Sequence, residues 1–272
     1  MIRVRQRVDT DVAQEAEFAR RLEAAIARAQ ALLFTWPLRP TWWDEAVLGL
    51  LQRSVLAAQG VQVLYKADCC PDMATVGRVA FEPMITALYI LNDPNPQQRA
   101  REYTRVMLWG GLVERRHDLR DLGIKPTTPT VGDKPTIEWL EAELKAASAG
   151  CKKGYRATRP RDKKQMCEVV GLKRLYTRCY RPLCTYAHPD PMIAHRLFLG
   201  QSLAATVEHW PFSAMLGLAV SAGSMEVLNN IVRATQNRTS DAQLRSAWPS
   251  LRAFVDVVFP ATPGRLLGPP PA

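Results

Sequence analysis

The fold class of this chain follows from residues 44–65, which read DEAVLGLLQRSVLAAQGVQVLY. Apolar side chains recur in this stretch at steps of three and four residues, which places them along one side of an α-helix. The pattern therefore predicts a helix that buries one stripe against neighbouring elements. The stripe consists of Val47, Leu50, Leu51, Val55, Ala58, Val61 and Tyr65.

The flanking segments show the same periodicity. Thr41, three residues before Asp44, predicts a capping box at the start of this helix. A second apolar stripe runs from Val76 to Leu91, and the turn cluster of residues 92–96 follows it. On the N-terminal side, residues 10–35 are rich in Ala, Glu, Arg and Leu, which favour helix.

The remaining segments predict further helices over residues 97–121, 133–149 and 162–188, with an interruption at Pro182, and two or three more over 190–258. No alternating stretch is long enough to predict a sheet. We therefore predict an all-α fold, a bundle of about eight or nine helices. We expect one helical domain over residues 1–260 and a flexible Pro/Gly-rich tail over 261–272.

Composition narrows the functional classes. The chain has no uninterrupted apolar run of about 18 residues, so we expect no membrane span. The first 21 residues are charged throughout, unlike a secretory signal, and a cytoplasmic location is expected. Motifs of the GxGxxG, P-loop, HExxH and GxSxG types are lacking, which removes the common nucleotide-binding, zinc-protease and serine-hydrolase interpretations.

Positive charge is concentrated in residues 151–182. This segment holds eleven Lys and Arg against two Asp and Glu, a net charge of +9 out of +10 for the chain. Such a concentration favours a polyanionic partner, RNA first, while a solvated connector is the alternative for residues 151–164. The candidate nucleic-acid-binding residues are Lys152, Lys153, Tyr155, Arg156, Arg159, Arg161, Lys163, Lys164, Arg174 and Arg178, with the Tyr155 ring available to stack on a base.

Arg181 and His188 form a candidate catalytic pair at the end of this segment. Seven residues span two helical turns, so the two side chains leave nearly the same side of a helix. Arginine would hold a phosphate and steady its developing charge, and histidine would exchange protons with the 2′-hydroxyl or the leaving oxygen. This chemistry needs no metal and no cofactor. Pro182 is expected to kink or restart the helix, and Pro189 to end it at His188.

This spacing resembles the Arg-(four to six residues)-His motif of HEPN proteins, which are helical and usually dimeric. Many of them are metal-independent ribonucleases of toxin and antiviral systems. The resemblance implies that two copies of the motif meet across a homodimer to form one cleavage site. The family often has a polar residue directly after the arginine, where this chain has Pro182.

A second resemblance covers roughly residues 45–210. Residues 78–91, RVAFEPMITALYIL, resemble the Arg-x-x-x-Glu helix of an uncharacterised family of helical bacterial proteins. That family continues with a Tyr-x-x-Leu-(small)-x-x-x-His segment, which Tyr180, Leu183, Cys184 and His188 match. The resemblance implies a shared polar cluster of Arg78, Glu82, Tyr180 and His188. From the residues alone, Arg78 and Glu82 form either a surface ion pair or a partly buried pair that orients His188.

One further array contains residue types that bind zinc: Cys179, Cys184, His188 and His195. Its spacing is not that of a usual finger or knuckle, and small core residues are the alternative for the two cysteines.

These observations predict a cytoplasmic RNA-binding protein, specifically a metal-independent HEPN-like endoribonuclease of a toxin or antiviral defence system. Arg181 and His188 would carry the chemistry, and Glu82 or Arg78 would position them. Expected partners are RNA, a second copy of the chain, and a protein partner or antitoxin. The alternative is a non-catalytic helical interaction module in which the Arg, Glu and His residues form a structural network.

Overall fold

The computed structural model describes residues 9–36, 41–104, 162–187, 210–237 and 241–259. All regular elements within these ranges are helical, which confirms the predicted all-α bundle. The helices are α1 (Asp9–Phe34), α2 (Trp42–Lys66), α3 (Cys70–Leu91), α4 (described over 96–104), α5 (Lys163–Val169), α6 (Lys173–Leu175, a π-helical turn at Tyr176–Tyr180, then Arg181–Ala187), α7 (Trp210–Gln236), α8 (Asp241–Ser246) and α9 (Trp248–Val258).

Local signals set the ends of α2 and α3. The Thr41 hydroxyl accepts a hydrogen bond from the Asp44 backbone N–H at 3.1 Å and also contacts the Asp44 carboxylate, which confirms Thr41 as the N-cap of the predicted capping box. Pro71 lies in the first turn of α3, where a backbone N–H would lack an intrahelical acceptor. The turn cluster at residues 92–96 separates α3 from α4 as predicted.

Helices α3 and α7 form the centre of the molecule. They pack most extensively against each other, and α1 and α2 cover α7 and α3 from outside. Helices α2 and α3 are antiparallel neighbours, joined where the Ser54 hydroxyl donates to the Ala80 carbonyl at 3.0 Å. The predicted apolar stripe of α2 is buried, except that Tyr65 is partly buried. The second predicted stripe, on α3, is buried from Ala80 onward.

Glycines bring α3 and α7 into backbone contact. A Cβ added to Gly217 would lie 2.5 Å from the Met73 carbonyl oxygen, and one added to Gly77 would lie 3.1 Å from the Gly217 Cα. Only residues without a side chain allow this approach. The crossing point therefore fixes how closely the two central helices pack.

A buried tryptophan ties α2 to the end of α7. Trp43 is fully buried, and its indole N–H donates to the Thr235 hydroxyl at 3.0 Å. The Thr235 hydroxyl in turn donates to the Ile231 carbonyl at 2.8 Å. The Trp43 backbone N–H donates to the Gln97 side chain at 3.1 Å. This one residue thus connects α2, α4 and α7.

The structure corrects the helix predicted over residues 162–188, which contains a second break. Helix α5 ends in a motif in which Leu172 N–H donates to the Cys167 carbonyl and Gly171 N–H to the Glu168 carbonyl. Gly171 has a φ of +71°, a conformation that residues with a Cβ rarely adopt. Val169, the last residue of α5, is exposed.

Pro182 does not end α6, because a π-helical turn accommodates it. A proline at this position lacks an N–H and would press its ring against the Arg178 carbonyl in a regular helix. In the wider turn, the Arg181 N–H instead donates to the Tyr176 carbonyl, five residues back. A π turn contains an extra residue, so the helix after it is rotated by up to about 100°. Arg174 and Arg181 therefore lie farther apart around the helix axis than a seven-residue spacing gives in a regular α-helix.

Among the residues that the structure describes, three helices are long and apolar enough to cross a membrane by length and composition alone. They are Trp42–Lys66, Asp72–Leu91 and Ala214–Gln236, with 44%, 72% and 89% of their apolar windows buried inside the protein. Internal packing in the bundle accounts for the apolar character of the last two. The expectation of no membrane span relied on uninterrupted apolar runs, a stricter criterion than mean hydropathy.

Candidate functional site

A polar cluster joins the middle of α3 to the π turn of α6. The Glu82 Oε1 atom accepts hydrogen bonds from Arg78 Nε at 3.1 Å and from the Tyr180 hydroxyl at 2.9 Å. The side chains of Arg78 and Glu82 are 27% and 20% exposed, so the pair is partly buried. We call Arg78, Glu82 and Tyr180 the Glu82 cluster.

Local structure positions each member of the Glu82 cluster. Arg78 and Glu82 lie one turn apart on α3, a spacing at which side chains meet. Tyr180 is the last residue of the π turn, and its ring packs at 5.6 Å from the Phe81 ring and 5.5 Å from the Tyr176 ring. The Arg78 guanidinium lies 5.8 Å from the centre of the Tyr180 ring. The position of Tyr180 is therefore fixed by the contacts of its ring with three side chains and by the hydrogen bond that its hydroxyl donates.

The electrostatics of the cluster keep Tyr180 protonated. Burial raises the pKa of Tyr180, and the charge of Glu82 together with the hydrogen bond to it raises this pKa further. Burial alone would lower the pKa of Arg78, but the hydrogen bond to Glu82 and the charges around it raise that pKa above its ordinary value. At neutral pH the cluster holds one cation, one carboxylate and one neutral phenol that donates.

Lys163 enters the same region from α5. Its ammonium group donates to the Thr86 hydroxyl at 2.7 Å, and that hydroxyl donates to the Glu82 backbone carbonyl at 2.8 Å. Burial lowers the pKa of Lys163, while the charge of Glu82 opposes this shift. The side chain of Lys163 is therefore partly buried against α3. The other predicted phosphate-binding cations that the structure describes are exposed.

The exposed cations of this segment form what we call the cationic strip: Lys164, Lys173, Arg174, Arg178 and Arg181. In the described part of the chain, no carboxylate forms an ion pair with Lys164, Lys173, Arg174 or Arg178. Arg181 opens the last stretch of α6 directly after Tyr180, and its side chain is exposed. These cations therefore follow one another in sequence along α5 and α6, and Arg181 directly follows Tyr180 of the Glu82 cluster.

The other predicted site residues lie outside the described residues. They are His188 and the basic loop residues Lys152, Lys153, Tyr155, Arg156, Arg159 and Arg161. Sequence reasoning missed Thr86, Phe81 and Tyr176. Of these, Thr86 carried a usable signal, because it lies one turn after Glu82 on the same face of α3.

Cys179 and Cys184 do not lie in a metal site within the described residues, where no group of three or more His, Cys, Asp or Glu could hold an ion. Cys179 is buried in the core, and burial raises its pKa to about 12, so it is an unreactive thiol. Cys184 is partly buried against the core. His188 and His195 of the same array lie outside the described residues.

Comparison with known proteins places this site within a family. A model described as a family of unknown function (DUF5677) matches residues 44–202. Neither a curated protein nor a solved structure matches the chain. The matched range contains α2 from Asp44 onward, then α3 to α6, and with them the whole Glu82 cluster, whereas α1 and α7 to α9 lie outside it. The range is close to that of the second resemblance, and the chain therefore belongs to the DUF5677 family, a family of unknown function.

Proposed function

We propose that this chain binds RNA along the cationic strip and cleaves it without a metal at Arg181 and His188, as a HEPN-like endoribonuclease. The observation that carries the proposal is the position of Arg181. It is exposed at the end of the cationic strip, and the preceding residue, Tyr180, is anchored in the Glu82 cluster.

The charge of the strip supports RNA as the ligand. Lys164, Lys173, Arg174 and Arg178 are exposed and form no ion pair with a described carboxylate, so their charge is available to an external anion. Successive phosphates of a nucleic acid release counterions from such a surface, which favours binding at low salt. The predicted cations of residues 152–161 would extend the same surface along the chain.

The Glu82 cluster supports the catalytic roles through positioning. Catalysis by two side chains requires that their backbone be held within a fraction of an ångström. The Tyr180 hydroxyl bond to Glu82 and the packing of its ring fix α6 directly before Arg181. Glu82 and Arg78 therefore act as positioning residues, since both are already engaged with Tyr180.

The proposed reaction is an internal transesterification. His188 takes the proton of the ribose 2′-hydroxyl, the 2′-oxygen bonds to phosphorus, and Arg181 stabilises the charge on the non-bridging oxygens. The P–O5′ bond breaks, and the 5′-oxygen is protonated by the imidazolium of the second copy in a homodimer. The products are a 2′,3′-cyclic phosphate and a 5′-hydroxyl. We assign the protein to a cytoplasmic toxin or antiviral defence system in which a protein antitoxin restrains it.

Cleavage is tested by incubating the purified protein with RNA in EDTA. The wild type is expected to yield fragments ending in 2′,3′-cyclic phosphate, and His188→Ala and Arg181→Gln are expected to lose at least about a hundredfold in rate, the scale of a lost acid–base or charge-stabilising group. Arg28→Gln, at an exposed position on α1, is the control and should cleave normally. Unchanged cleavage by His188→Ala at an unchanged melting temperature would disprove the catalytic role.

Binding is tested separately from cleavage, with the His188→Ala protein and a single-stranded RNA at increasing salt. Arg174→Gln/Arg178→Gln should reduce the magnitude of the slope of log K against log salt by about 1.4, if each arginine neutralises one phosphate. Arg28→Gln/Arg233→Gln removes the same charge from α1 and α7 and should leave the slope unchanged. Equal slopes for all three proteins would exclude the cationic strip as the RNA contact.

One observation favours the alternative, a non-catalytic interaction module. Both donors of the Glu82 cluster point to the same carboxylate oxygen, so the cluster has the form of a structural network between α3 and α6. In that case Glu82→Gln lowers the melting temperature, while the wild-type protein neither binds nor cleaves RNA. A protein partner would then be recovered by crosslinking, and its recovery would not depend on Arg181.

A further inference from the structure

The side of α2 that faces away from the bundle carries an apolar stripe of its own. Leu56 and Val63, two turns apart, are each 65% exposed, and a Cβ added to Gly49 would meet no atom within 4 Å. Polar residues alternate with these three along the helix. We call the whole set the α2 face: Glu45, Gly49, Gln52, Leu56, Gln59, Val63 and Lys66.

The α2 face has the spacing of a seam between two paired helices. Its residues follow one another at alternating steps of four and three from Glu45 to Lys66, which is the a/d repeat through which helices pack. All of them are exposed except Gln59, which is partly exposed. The buried residues of α2, such as Val47 and Val61, lie on the opposite side. Within the described ranges, therefore, no helix covers this seam.

Opposite charges lie at the two ends of the α2 face. Glu45 is in the first turn of α2 and Lys66 is its last residue, about 32 Å away at 1.5 Å per residue. Neither forms an ion pair with a described residue. A second copy of the chain, antiparallel about a two-fold axis near Leu56, would bring Glu45 of each copy close to Lys66 of the other. A parallel copy would bring like charges together, which is unfavourable.

The uncharged residues of the face match in the same arrangement. Residues equally far from a two-fold axis meet, so Val63 of one copy packs beside Gly49 of the other, and Gln52 lies near Gln59. Leu56 lies at the axis, next to its own counterpart. A glutamine amide both donates and accepts, so the two glutamines can bond to each other. The α2 face is therefore complementary to itself.

A lipid surface fits the α2 face less well. Helix α2 is long and apolar enough to cross a membrane, and with 44% of its apolar window buried it is the least covered of the three such helices in the described residues. Gln52 and Gln59, however, lie in the middle of the face and would lose their hydrogen bonds to water in hydrocarbon. A second copy offers each of them a partner.

We propose that the α2 face binds the α2 face of a second copy, antiparallel, as the interface of a homodimer. The proposed cleavage also requires a second copy, and this surface is where that copy binds. The interface depends on α2 alone and needs neither RNA nor His188, so its failure would leave the cleavage proposal to its own test.

Analytical ultracentrifugation of the full chain without RNA measures the dimer. We expect a monomer–dimer equilibrium over roughly 1–200 µM protein, because a seam with few apolar residues gives modest affinity. Leu56→Glu/Val63→Glu should weaken dimerisation at least about tenfold. The matched control is Val12→Glu/Val257→Glu, at two exposed valines of α1 and α9, which adds the same charge and should not change it.

All four changed positions are exposed, so each variant should keep the helix content of the wild type, which circular dichroism checks. A wild type that stays monomeric over the whole concentration range would overturn the interface. Equal weakening by the two double variants would also overturn it, because the loss would then come from added charge and not from the α2 face.

Charge exchange tests the orientation of the two copies. At low salt, Glu45→Lys and Lys66→Glu should each weaken the dimer about three- to tenfold, because two symmetric attractions become repulsions. The double variant Glu45→Lys/Lys66→Glu should dimerise like the wild type, since the exchanged charges attract again. Unaffected single variants, or single variants that the double does not rescue, would overturn the antiparallel arrangement.

Flotation with phosphatidylcholine vesicles separates a lipid surface from a second copy. We expect the wild type not to float with the vesicles. Flotation that Leu56→Glu/Val63→Glu abolishes would overturn the proposal, because the occupant of the α2 face would then be a membrane.

Discussion

Tyr180 is the residue through which α6 is attached to the centre of the bundle. Its hydroxyl donates to Glu82, and its ring packs between Phe81 and Tyr176 beneath the Arg78 guanidinium. A phenol suits this position because it offers an apolar ring to the core and one donor to the carboxylate. A change at this single oxygen therefore reports directly on the contact between α3 and α6.

Tyr180→Phe should lower the free energy of unfolding by about 1.5–3 kcal/mol, the value of a hydrogen bond to a charged group. Tyr176→Phe is the matched control, since no described residue receives a hydrogen bond from its hydroxyl. That variant should stay within about 0.5 kcal/mol of the wild type. Urea denaturation measures both, and equal values for the two variants would contradict the role of the Tyr180 hydroxyl.

The difference between wild type and Tyr180→Phe should depend on pH. The pKa of Tyr180 is raised in the folded protein, so the unfolded chain loses the proton first, near the ordinary value of about 10. The hydroxyl thus contributes its full stability below pH 10 and loses it as the pH rises further. Lys163 titrates in both proteins and cancels in the difference. A stability difference that is constant from pH 8 to 11 would contradict this prediction.

At the scale of the elements, the close contact of α3 with α7 is the most sensitive feature. Gly217→Ala would put a methyl group 2.5 Å from the Met73 carbonyl oxygen, which belongs to backbone and cannot rotate away. We expect a loss of about 1–3 kcal/mol in the free energy of unfolding, as for other overpacked sites.

The control for this substitution is Gly49→Ala on α2, where an added Cβ meets no atom within 4 Å. Because alanine favours helix over glycine, this variant should gain up to about 1 kcal/mol. Opposite signs in the two melting temperatures are the expected result. A neutral or stabilising Gly217→Ala would show that the helices do not meet at this contact.

Sequence predicted the elements where the signals are local. The capping box at Thr41 and the apolar stripe of α2 depend on neighbouring residues, and both were predicted. The end of α5 at Gly171 was not predicted, because a single glycine ends a helix where the apolar residue after it packs against that helix. The π turn was missed because it resolves a conflict between Pro182 and the anchoring of Tyr180, which is a tertiary contact.

The same difference between local signals and tertiary contacts holds for the candidate site. The spacing of Arg78 and Glu82 predicted a pair, and the family resemblance added Tyr180. Nothing in the sequence distinguished Lys163 from Lys164, because the difference depends on the position of Thr86, 77 residues away.

On the scale of the whole molecule, the range that the family model matches covers only part of the hydrophobic core of the described residues. The matched residues 44–202 include α3 but not α7, although these two helices pack most extensively against each other. Residues 214–225 of α7 are all buried, and α3 is the helix that α7 contacts most extensively. The part shared with the family therefore contains the Glu82 cluster without the packing that stabilises it here.

A fragment of residues 1–209 should accordingly fail to fold cooperatively. We expect it to bind a hydrophobic dye and to lose the single sharp thermal transition of the full chain. Removal of residues 238–272 alone takes away α8 and α9 of the described helices, which should lower the melting temperature and keep the transition cooperative. A sharp transition in the 1–209 fragment would show that α7 is dispensable for the core.

The bond between Trp43 and Thr235 implies an order of events during synthesis. The acceptor of the Trp43 indole lies 192 residues later in the chain, so it leaves the ribosome long after the indole does. Until then the apolar sides of the first helices face solvent or a chaperone. Nascent chains arrested before residue 210 should therefore be digested by protease far faster than released protein, since their late partner has not yet emerged.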